Sequence, residues 1–252
     1  MIRQTDQLPV VLTSFAFREE YFDELDGMLA SAKQHHPHWS FVIGKGSVSG
    51  SELPTLEVHS PLGRRRWSLP VSLNLDGSAD DWRKITKMKA WWIAQVWPSF
   101  GDLAGDFKRI LWIDADARMN RPLDIQVDPQ SEVIAGAWRR DARYPGYDTI
   151  TSGLLLFQGT SRGAIETILQ QWSTTCLGHI AKLPHPPLVP WGDGDQEVLT
   201  QILKTPPRCD KYYILIRLDA DKYCAVVHER GIPLHGVSAN QCVTARKTRV
   251  KS

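Results

Sequence analysis

The sequence lacks the features that mark membrane-spanning and secreted proteins. Its 252 residues contain no apolar run of the roughly 18 residues that a spanning helix needs. The first residues do not follow the charged, apolar and small-residue order of a signal peptide. Four cysteines occur without a C-x-x-C pair or a regular spacing, so we expect reduced thiols and a cytoplasmic protein.

A strong charge of one sign and internal repeats are also missing. The chain has 30 basic and 28 acidic residues, and this near balance argues for no particular class of partner. The hydrophobic fraction of 42% is typical of a soluble globular protein. We therefore expect one α/β domain, with a basic tail at residues 244–252.

The clearest chemical pattern lies where an apolar run meets two acids. Residues 110–113 are typical of a buried strand, and Asp114 and Asp116 follow directly. Ligands collect at such strand ends in open α/β sheets, and paired carboxylates there suit Mg²⁺ or Mn²⁺. The alternative is a structural strand that runs into an acidic turn.

Two hydroxyl groups end the first predicted strand. This strand spans residues 9–16, with Thr13 and Ser14 near its carboxyl end. Their side chains could contact the base or ribose of a nucleotide, but a strand capped by small polar residues explains them equally well. A helix at 19–34 and a strand at 39–43 are predicted to follow.

A tryptophan-rich helix is predicted at residues 81–97, with its apolar residues on one stripe and its end at Pro98. Lys84 and Lys87 lie three residues apart and share a face. Because the helix leads into the acidic strand, these lysines could reach a diphosphate. A solvated face is the alternative.

The second half of the chain offers further polar candidates. Ser152 and Gly153 lie at the start of a strand predicted at 151–157, where a glycine permits close approach of a ligand. Asp195 is a plausible N-cap before a helix at 198–203.

Two histidines follow apolar runs near the carboxyl end. His228 and His235 are each more typical of a polar cap than of a ligand. They become ligand candidates only because the two acids would need a third protein ligand for a bound metal ion.

Six segments occur in an order that is familiar from one enzyme family: LTSFAF, ITKMKAWW, RILWIDADARMNRPLD, TSGLLLF, WGDGDQEVLTQIL and CAVVHERG. Together they resemble the GT-A-fold glycosyltransferases with a DxD motif, most of all the glycogenin-type (glycosyltransferase family 8-like) group. The resemblance implies a single Rossmann-like α/β domain over residues 1–243. Its central sheet would be mixed, mostly parallel and flanked by helices.

The resemblance also assigns a metal site. It implies that Mn²⁺ (or Mg²⁺) is bound by Asp114, Asp116 and one of His228 and His235. The K-P-W that follows the family's metal histidine is absent here, so both histidines stay open.

A nucleotide-sugar donor is the implied ligand. Lys87 would contact its diphosphate. The strand that faces the donor sugar departs from the family at one position, since Thr151 stands where the family has Asn. The donor-binding residues implied in this way are Thr13, Ser14, Phe15, Lys87, Asp114, Ala115, Ser152 and Gly153.

The implied activity is metal-dependent transfer of a sugar, with a UDP-sugar favoured as donor, to a hydroxyl acceptor with retention. The metal and Lys87 would neutralise the leaving diphosphate. Asp195 or Gln196 would stabilise the oxocarbenium-like sugar, and Asp193 would bind its hydroxyls. The acceptor stays open among a saccharide, a protein and a small molecule.

Three other functions stay open. The first is a glycosyltransferase that acts on modified bases in DNA. The second is a nucleotidyltransferase, although LTSFAFRE lacks the expected glycine-rich phosphate loop. The third is a non-catalytic protein that binds sugar nucleotides. The arginines that favour DNA are Arg64, Arg65, Arg66, Arg139, Arg140 and Arg143, with the basic tail.

Overall fold

Strands and helices alternate along the chain. This computed structural model describes residues 9–47, 55–71, 73, 79–123, 127–140, 148–183, 194–204, 214–217 and 226–228. The α-helices in these ranges are α1 (Phe22–His35), α2 (Ala79–Phe100), α3 (Ala164–Ile180) and α4 (Asp195–Lys204). The strands are β1 (Val11–Phe17), β2 (Ser40–Ser47), β3 (Thr55–Ser60), β4 (Gly63–Ser68), β5 (Lys108–Ile113), β6 (Ala117–Met119), β7 (Val133–Arg140), β8 (Asp148–Gly159), β9 (Ile214–Arg217) and β10 (Val226–His228).

Eight of these strands form one sheet in the order β4-β3-β2-β1-β5-β8-β7-β9. The expected α/β fold, with a central mixed sheet flanked by helices, is confirmed. Parallel pairs are fewer than expected, however. Among the described neighbours, β1 pairs in parallel with β2 and β5, and β7 with β9, whereas the other four pairs are antiparallel. Short connections such as that between β3 and β4 favour antiparallel pairing.

The order of connections places a switch point beside β1. The chain passes from β1 through α1 to β2, β3 and β4 on one side, and α2 then returns it to β5 on the other side of β1. In open α/β sheets, ligands bind outside the carboxyl ends of strands at such a point. The predicted acidic site at the end of β5 therefore lies at the expected ligand position.

Both faces of the sheet are covered. Side chains alternate along β1, so that Val11 and Phe15 join the core under α2 and α3, while Leu12 and Ala16 join the core under α1. Every residue of β1 is consequently buried. This burial explains why five of its seven residues are apolar.

The predicted end of α2 is wrong. The helix begins at Ala79 and continues through Pro98 to Phe100. A proline breaks a helix because it lacks an N–H and crowds the preceding turn, and here that cost falls in the last turn only. The side chain of Lys108 donates to the carbonyl of Trp97 at 3.2 Å, so this helix-end acceptor is satisfied.

Other boundaries also differ from the prediction. β1 continues to Phe17, so Thr13 and Ser14 lie inside the strand rather than at its end. A hairpin, β3 and β4, occupies a segment for which no element is predicted. No helix in the described ranges combines the length and apolar character that a membrane span requires. Cys176 is buried in the core, and the other three cysteines lie outside the described residues.

Candidate functional site

The two acids lie in a tight turn between β5 and β6, as their position after a buried strand predicts. The Asp114 N–H donates to Gly153 O at 3.0 Å, and the Ala117 N–H donates to Asp114 O at 3.0 Å. Asp114 keeps 25% of its side chain exposed, and Asp116 is half-buried. The turn is therefore fixed by its backbone while both carboxylates remain within reach of a ligand.

A buried lysine joins this turn to two other elements. Lys89 Nζ lies 2.9 Å from Asp114 Oδ1 and 3.3 Å from Asp195 Oδ2. It also donates to Ser152 O and Ser152 Oγ, each at 3.0 Å, and lies 5.2 Å from the centre of the Trp112 ring. The site thus assembles from α2, β8, the start of α4 and the turn after β5.

The charge of Lys89 is held by these acids. Burial alone would lower the pKa of Lys89, but the charges of Asp114 and Asp195 and the hydrogen bonds to them outweigh burial and raise this pKa. The ammonium is therefore protonated at neutral pH. Its positive charge offsets the repulsion between the carboxylates of Asp114 and Asp195, which water screens only weakly at this buried site.

Asp195 is held by its backbone as well. The carbonyl of Asp195 accepts a hydrogen bond from Trp172 Nε1 at 2.9 Å, and Thr200 Oγ1 accepts one from the Ile150 N–H at 3.0 Å. Asp195 is the first residue of α4, so the predicted helix start at residue 198 is three residues late. The helix is thus tied to α3 and β8, and its first acid points into the site.

A second acid follows in α4. Glu197 is buried, and burial is the main reason why its pKa is raised above the usual value for a glutamate. Its Oε1 accepts a hydrogen bond from Gln196 Nε2 at 2.9 Å. Gln196, a predicted catalytic residue, therefore makes a contact within its own helix, and its part in catalysis stays a prediction.

The predicted donor-binding residues of β1 lie beside the end of β5. The parallel register pairs Thr13 with Trp112, so Ser14 and Phe15 reach the level at which β5 leaves the sheet. Thr13 Oγ1 donates to Val42 O at 2.8 Å and accepts from Trp92 Nε1 at 2.7 Å. Its hydroxyl thus holds α2 against the sheet, and a contact with a donor stays a prediction.

Ser14 and Phe15 are also buried. Ser14 Oγ makes no hydrogen bond with any residue in the described ranges. Phe15 packs edge-on against Trp92, with 5.8 Å between ring centres. Phe15 therefore helps to support α2, from which Lys89 reaches the acids.

The lysines predicted for a diphosphate lie on the same helix. Lys87 is fully buried, and Lys84 Nζ lies 3.6 Å from Asp81 Oδ1. Asp81 also pairs at 2.6 Å with Arg18, which follows the carboxyl end of β1 with a φ of 76°. A non-glycine residue in this left-handed region carries strain, which accumulates at functional sites.

The residues of the proposed metal site are only partly described. Among the described side chains, no group of three histidine, cysteine, aspartate or glutamate residues could hold a metal ion. β10 pairs with β6 so that His228 lies opposite Ala117, next to Asp116 in the chain. The side chain of His228, together with His235 and Asp193, lies outside the described part of the chain.

Sequence reasoning missed Lys89, Arg18 and Glu197. For Lys89 a signal exists, since it lies four residues after Ile85 and three before Trp92, on the apolar stripe of the helix. A charged residue on a buried stripe needs a partner of opposite charge. No comparable pattern marks Arg18.

The arginines considered for DNA are only partly described by the structure. Arg64, Arg65 and Arg66 lie on β4, an exposed strand at one edge of the described sheet. The side chains of Arg139 and Arg140, with Arg143 and the tail, lie outside the described residues.

Comparisons with known proteins give matches of structure only. No family model matches the chain, and no curated protein matches its sequence. The chain is similar to the glycosyltransferase GlyE of Streptococcus pneumoniae TIGR4, at 15% identity and a TM-score of 0.44, over 84% of this chain and 45% of that one. It is also similar to a glycosyltransferase involved in the glycosylation of the major capsid of PBCV-1, at 15% identity and a TM-score of 0.41, over 83% of this chain and 81% of that one. The chain spans less than half the length of GlyE.

Proposed function

We propose that the chain is a metal-dependent glycosyltransferase that moves a sugar from a nucleotide diphosphate sugar, with a UDP-sugar favoured, to a hydroxyl acceptor with retention. The observation that carries the proposal is the meeting of Asp114, Ser152 and Asp195 around one buried ammonium. These residues come from three of the segments that resemble the glycogenin-type group. They converge at the switch point of the sheet, where α/β folds bind ligands.

The metal ion would be held at the acidic turn. Asp114 and Asp116 supply carboxylate oxygens, which Mn²⁺ and Mg²⁺ prefer, and His228 or His235 would complete the site. The register that places His228 opposite Ala117 supports His228 as this ligand. When bound, the ion neutralises the negative charge that develops on a leaving diphosphate.

Positive charge from the chain itself would add to that effect. Lys84 and Lys87 occupy the first half of α2. The ion pair between Asp81 of α2 and Arg18, which follows β1, shows that α2 begins near the carboxyl end of β1. A charge fixed before the reaction begins stabilises a leaving group without reorganisation. The diphosphate would therefore lie between this helix and the acidic turn.

The reacting sugar would face the start of α4. Asp195 or Gln196 stabilises the positive charge that develops on the anomeric carbon, while Asp193 binds sugar hydroxyls. The carboxylate of Asp195 is held in place by Lys89, so it needs no rearrangement. Retention then follows if the acceptor oxygen attacks the face that the diphosphate leaves.

Nucleotide binding tests the proposal directly. Thermal unfolding is measured with UDP, GDP, CDP, ADP and dTDP, each with and without Mn²⁺. We expect stabilisation by UDP that requires Mn²⁺, of about 2.7 kcal/mol at a 100-fold excess over Kd. The proposal fails if none of the five nucleotides stabilises the protein in the presence of Mn²⁺.

A single substitution tests the acidic turn. Asp116→Asn should abolish metal-dependent release of nucleoside diphosphate from the donor while leaving the unfolding temperature in the absence of ligand nearly unchanged. Asp106→Asn, at an exposed position before β5, is the matched control and should retain turnover. Near-normal turnover in Asp116→Asn would remove this residue from the metal site.

A further inference from the structure

Lys89 occupies a position that is built like a cation site. Its ammonium lies within 3.3 Å of four oxygens, namely one from Asp114, one from Asp195 and two from Ser152. Carboxylate, carbonyl and hydroxyl oxygens are also the ligands of hard metal ions. With 6% of its side chain exposed, Lys89 supplies a charge at this place that stays attached to α2.

At the proposed metal site, Asp114 faces two cations. Among the described residues, its contacts from Lys89 and from Trp112 Nε1 both fall on Oδ1, so Oδ2 is the oxygen that can turn toward a metal ion. An ammonium 2.9 Å from the same carboxylate repels such an ion, and water screens this repulsion only weakly in a largely buried site. Lys89 must therefore oppose metal binding unless it can move away from Asp114.

Asp195 offers Lys89 a place to move. Its Oδ2 lies 3.3 Å from the same Nζ, slightly farther than Asp114 Oδ1, and its side chain is 5% exposed. A small shift of the flexible lysine side chain would exchange one carboxylate for the other. The two ends of this exchange are the acidic turn and the start of α4.

We propose that Lys89 is a tethered counter-ion of Asp114 that weakens metal binding at the acidic turn and shifts toward Asp195 when the metal binds. Lys89 is thus a positioning residue. Metal binding at one end of the site tightens the ion pair at the other end, which fixes the Asp195 carboxylate for the sugar. This inference rests on the proposed metal site, but not on the identity of the donor or the acceptor.

The test is a titration with Mn²⁺ alone, followed by electron paramagnetic resonance of the free ion. Lys89→Met keeps most of the volume and removes the charge, so Mn²⁺ should bind at least about tenfold more tightly than to the unaltered protein. Lys89→Arg keeps the charge and should bind Mn²⁺ as the unaltered protein does. Unchanged affinity in a folded Lys89→Met variant would overturn the proposal.

A matched control removes a lysine–aspartate pair elsewhere. Lys45 Nζ lies 2.7 Å from Asp26 Oδ2. This pair joins β2 to α1 and includes no residue of the acidic turn. Lys45→Met should leave the Mn²⁺ affinity unchanged. An equal gain in this variant would show that the effect of Lys89→Met reflects the overall charge of the protein, and would also overturn the proposal.

A second arm tests the shift, and its single substitution can be measured even if Lys89→Met fails to fold. Asp195→Asn removes the carboxylate that receives Lys89, so Mn²⁺ binding should weaken several-fold. In the Lys89→Met background the same substitution should have a smaller effect, since the two residues are coupled. Unchanged affinity in Asp195→Asn, or an equal effect in both backgrounds, contradicts the shift.

The outcome separates this inference from the proposed function, because no nucleotide is present in the titration. Stabilisation by UDP with Mn²⁺, combined with unchanged Mn²⁺ affinity in Lys89→Met, refutes the role of Lys89 and leaves the function standing. Tighter Mn²⁺ binding in that variant, with no response to any nucleotide, supports the counter-ion and refutes the function.

Discussion

His36 shows how a single neutral side chain can make the stability of this fold depend on pH. Its ring is 1% exposed and stacks on Trp39 with 3.7 Å between ring centres. Nε2 accepts a hydrogen bond from the Leu123 N–H at 2.8 Å, which requires an unprotonated Nε2. Burial first, and then the charges of His38 and His35, lower the pKa of His36 from its usual 6.5 to about 4.

This lowered pKa predicts acid lability. Between pH 6.5 and about 4 the unfolded state binds a proton at His36 that the folded state does not, so the free energy of unfolding falls as the pH falls. The contribution is complete above pH 6.5 and amounts to about 3 kcal/mol over the whole window. Urea unfolding at a series of pH values measures it.

His36→Gln should flatten that pH dependence by the same amount. His59→Gln, on the exposed hairpin, is the control and should keep the slope of the unaltered protein. If the His36→Gln variant and the unaltered protein lose stability in parallel between pH 6.5 and 4, another group is responsible.

Residues that end a strand are predictable from the sequence, whereas those that meet across the sheet are not. An apolar run before Asp114 and Asp116 is sufficient to place both acids in a turn. The partner of Asp114, in contrast, lies 25 residues earlier on α2, and only the packed helix brings Lys89 beside it. Arg18 could not be predicted either, because its left-handed backbone depends on how β1 leaves the sheet.

At the scale of the element, the N-terminus of α3 is capped by the side chain of a distant residue. Glu132 lies directly before β7, and its Oε2 accepts a hydrogen bond from the Ile165 N–H at 3.1 Å. Its Oε1 accepts from Thr160 Oγ1 at 3.0 Å. A carboxylate at a helix N-terminus satisfies donors that have no partner within the helix and also favours the helix dipole.

Two glycines of this helix region predict opposite outcomes. A Cβ at Gly163 would overlap Glu132 Oε1, whereas a Cβ at Gly178 would meet no atom within 4 Å. Gly163→Ala should therefore lower the free energy of unfolding by roughly 1–3 kcal/mol. Gly178→Ala should raise it by up to about 1 kcal/mol, because alanine favours the helix.

Chemical denaturation of both variants checks this pair, with far-ultraviolet circular dichroism as the readout. Since both substitutions are Gly→Ala, general effects of the alanine methyl on the unfolded chain are matched. Equal shifts of the same sign would mean that Glu132 does not depend on the space at Gly163.

The existence of most elements follows from the sequence, but their ends do not. Periodicity predicts α1 and α2, and apolar runs predict β1, β5 and β8. The β3–β4 hairpin escapes prediction because β4 carries three consecutive arginines at an exposed sheet edge, where no apolar alternation is needed. Pro98 does not end α2 as predicted. The side chain of Lys108 donates a hydrogen bond to the Trp97 carbonyl at the helix end.

At the scale of the whole molecule, the sheet has a protected centre and an open edge. β1 is paired on both sides and wholly buried. Among the described strands, β4 pairs with β3 alone, and it is mostly exposed. Amides open locally where few buried contacts hold them. We therefore expect the slowest hydrogen exchange in β1, β5 and β8 and markedly faster exchange in β3 and β4.

Hydrogen-exchange mass spectrometry at neutral pH measures this difference with peptides from each strand. Uniform protection across the sheet would indicate that the hairpin opens only when the whole domain unfolds.

Sheet order itself was not predictable, because apolar runs identify strands without identifying their neighbours. The antiparallel pairing of β5 with β8 is the clearest example.

The convergence of distant segments at the acidic turn has a consequence for when the candidate site can form. Lys89 and Ser152 are separated by 63 positions in the chain, and Asp195 follows 43 residues after Ser152. Closing such large loops costs entropy before any contact repays it, which slows folding. During synthesis, a chain that has not yet delivered α4 cannot possess the site, however well its first strands have formed. Binding of the proposed nucleotide donor would consequently report that folding is complete rather than that it has begun.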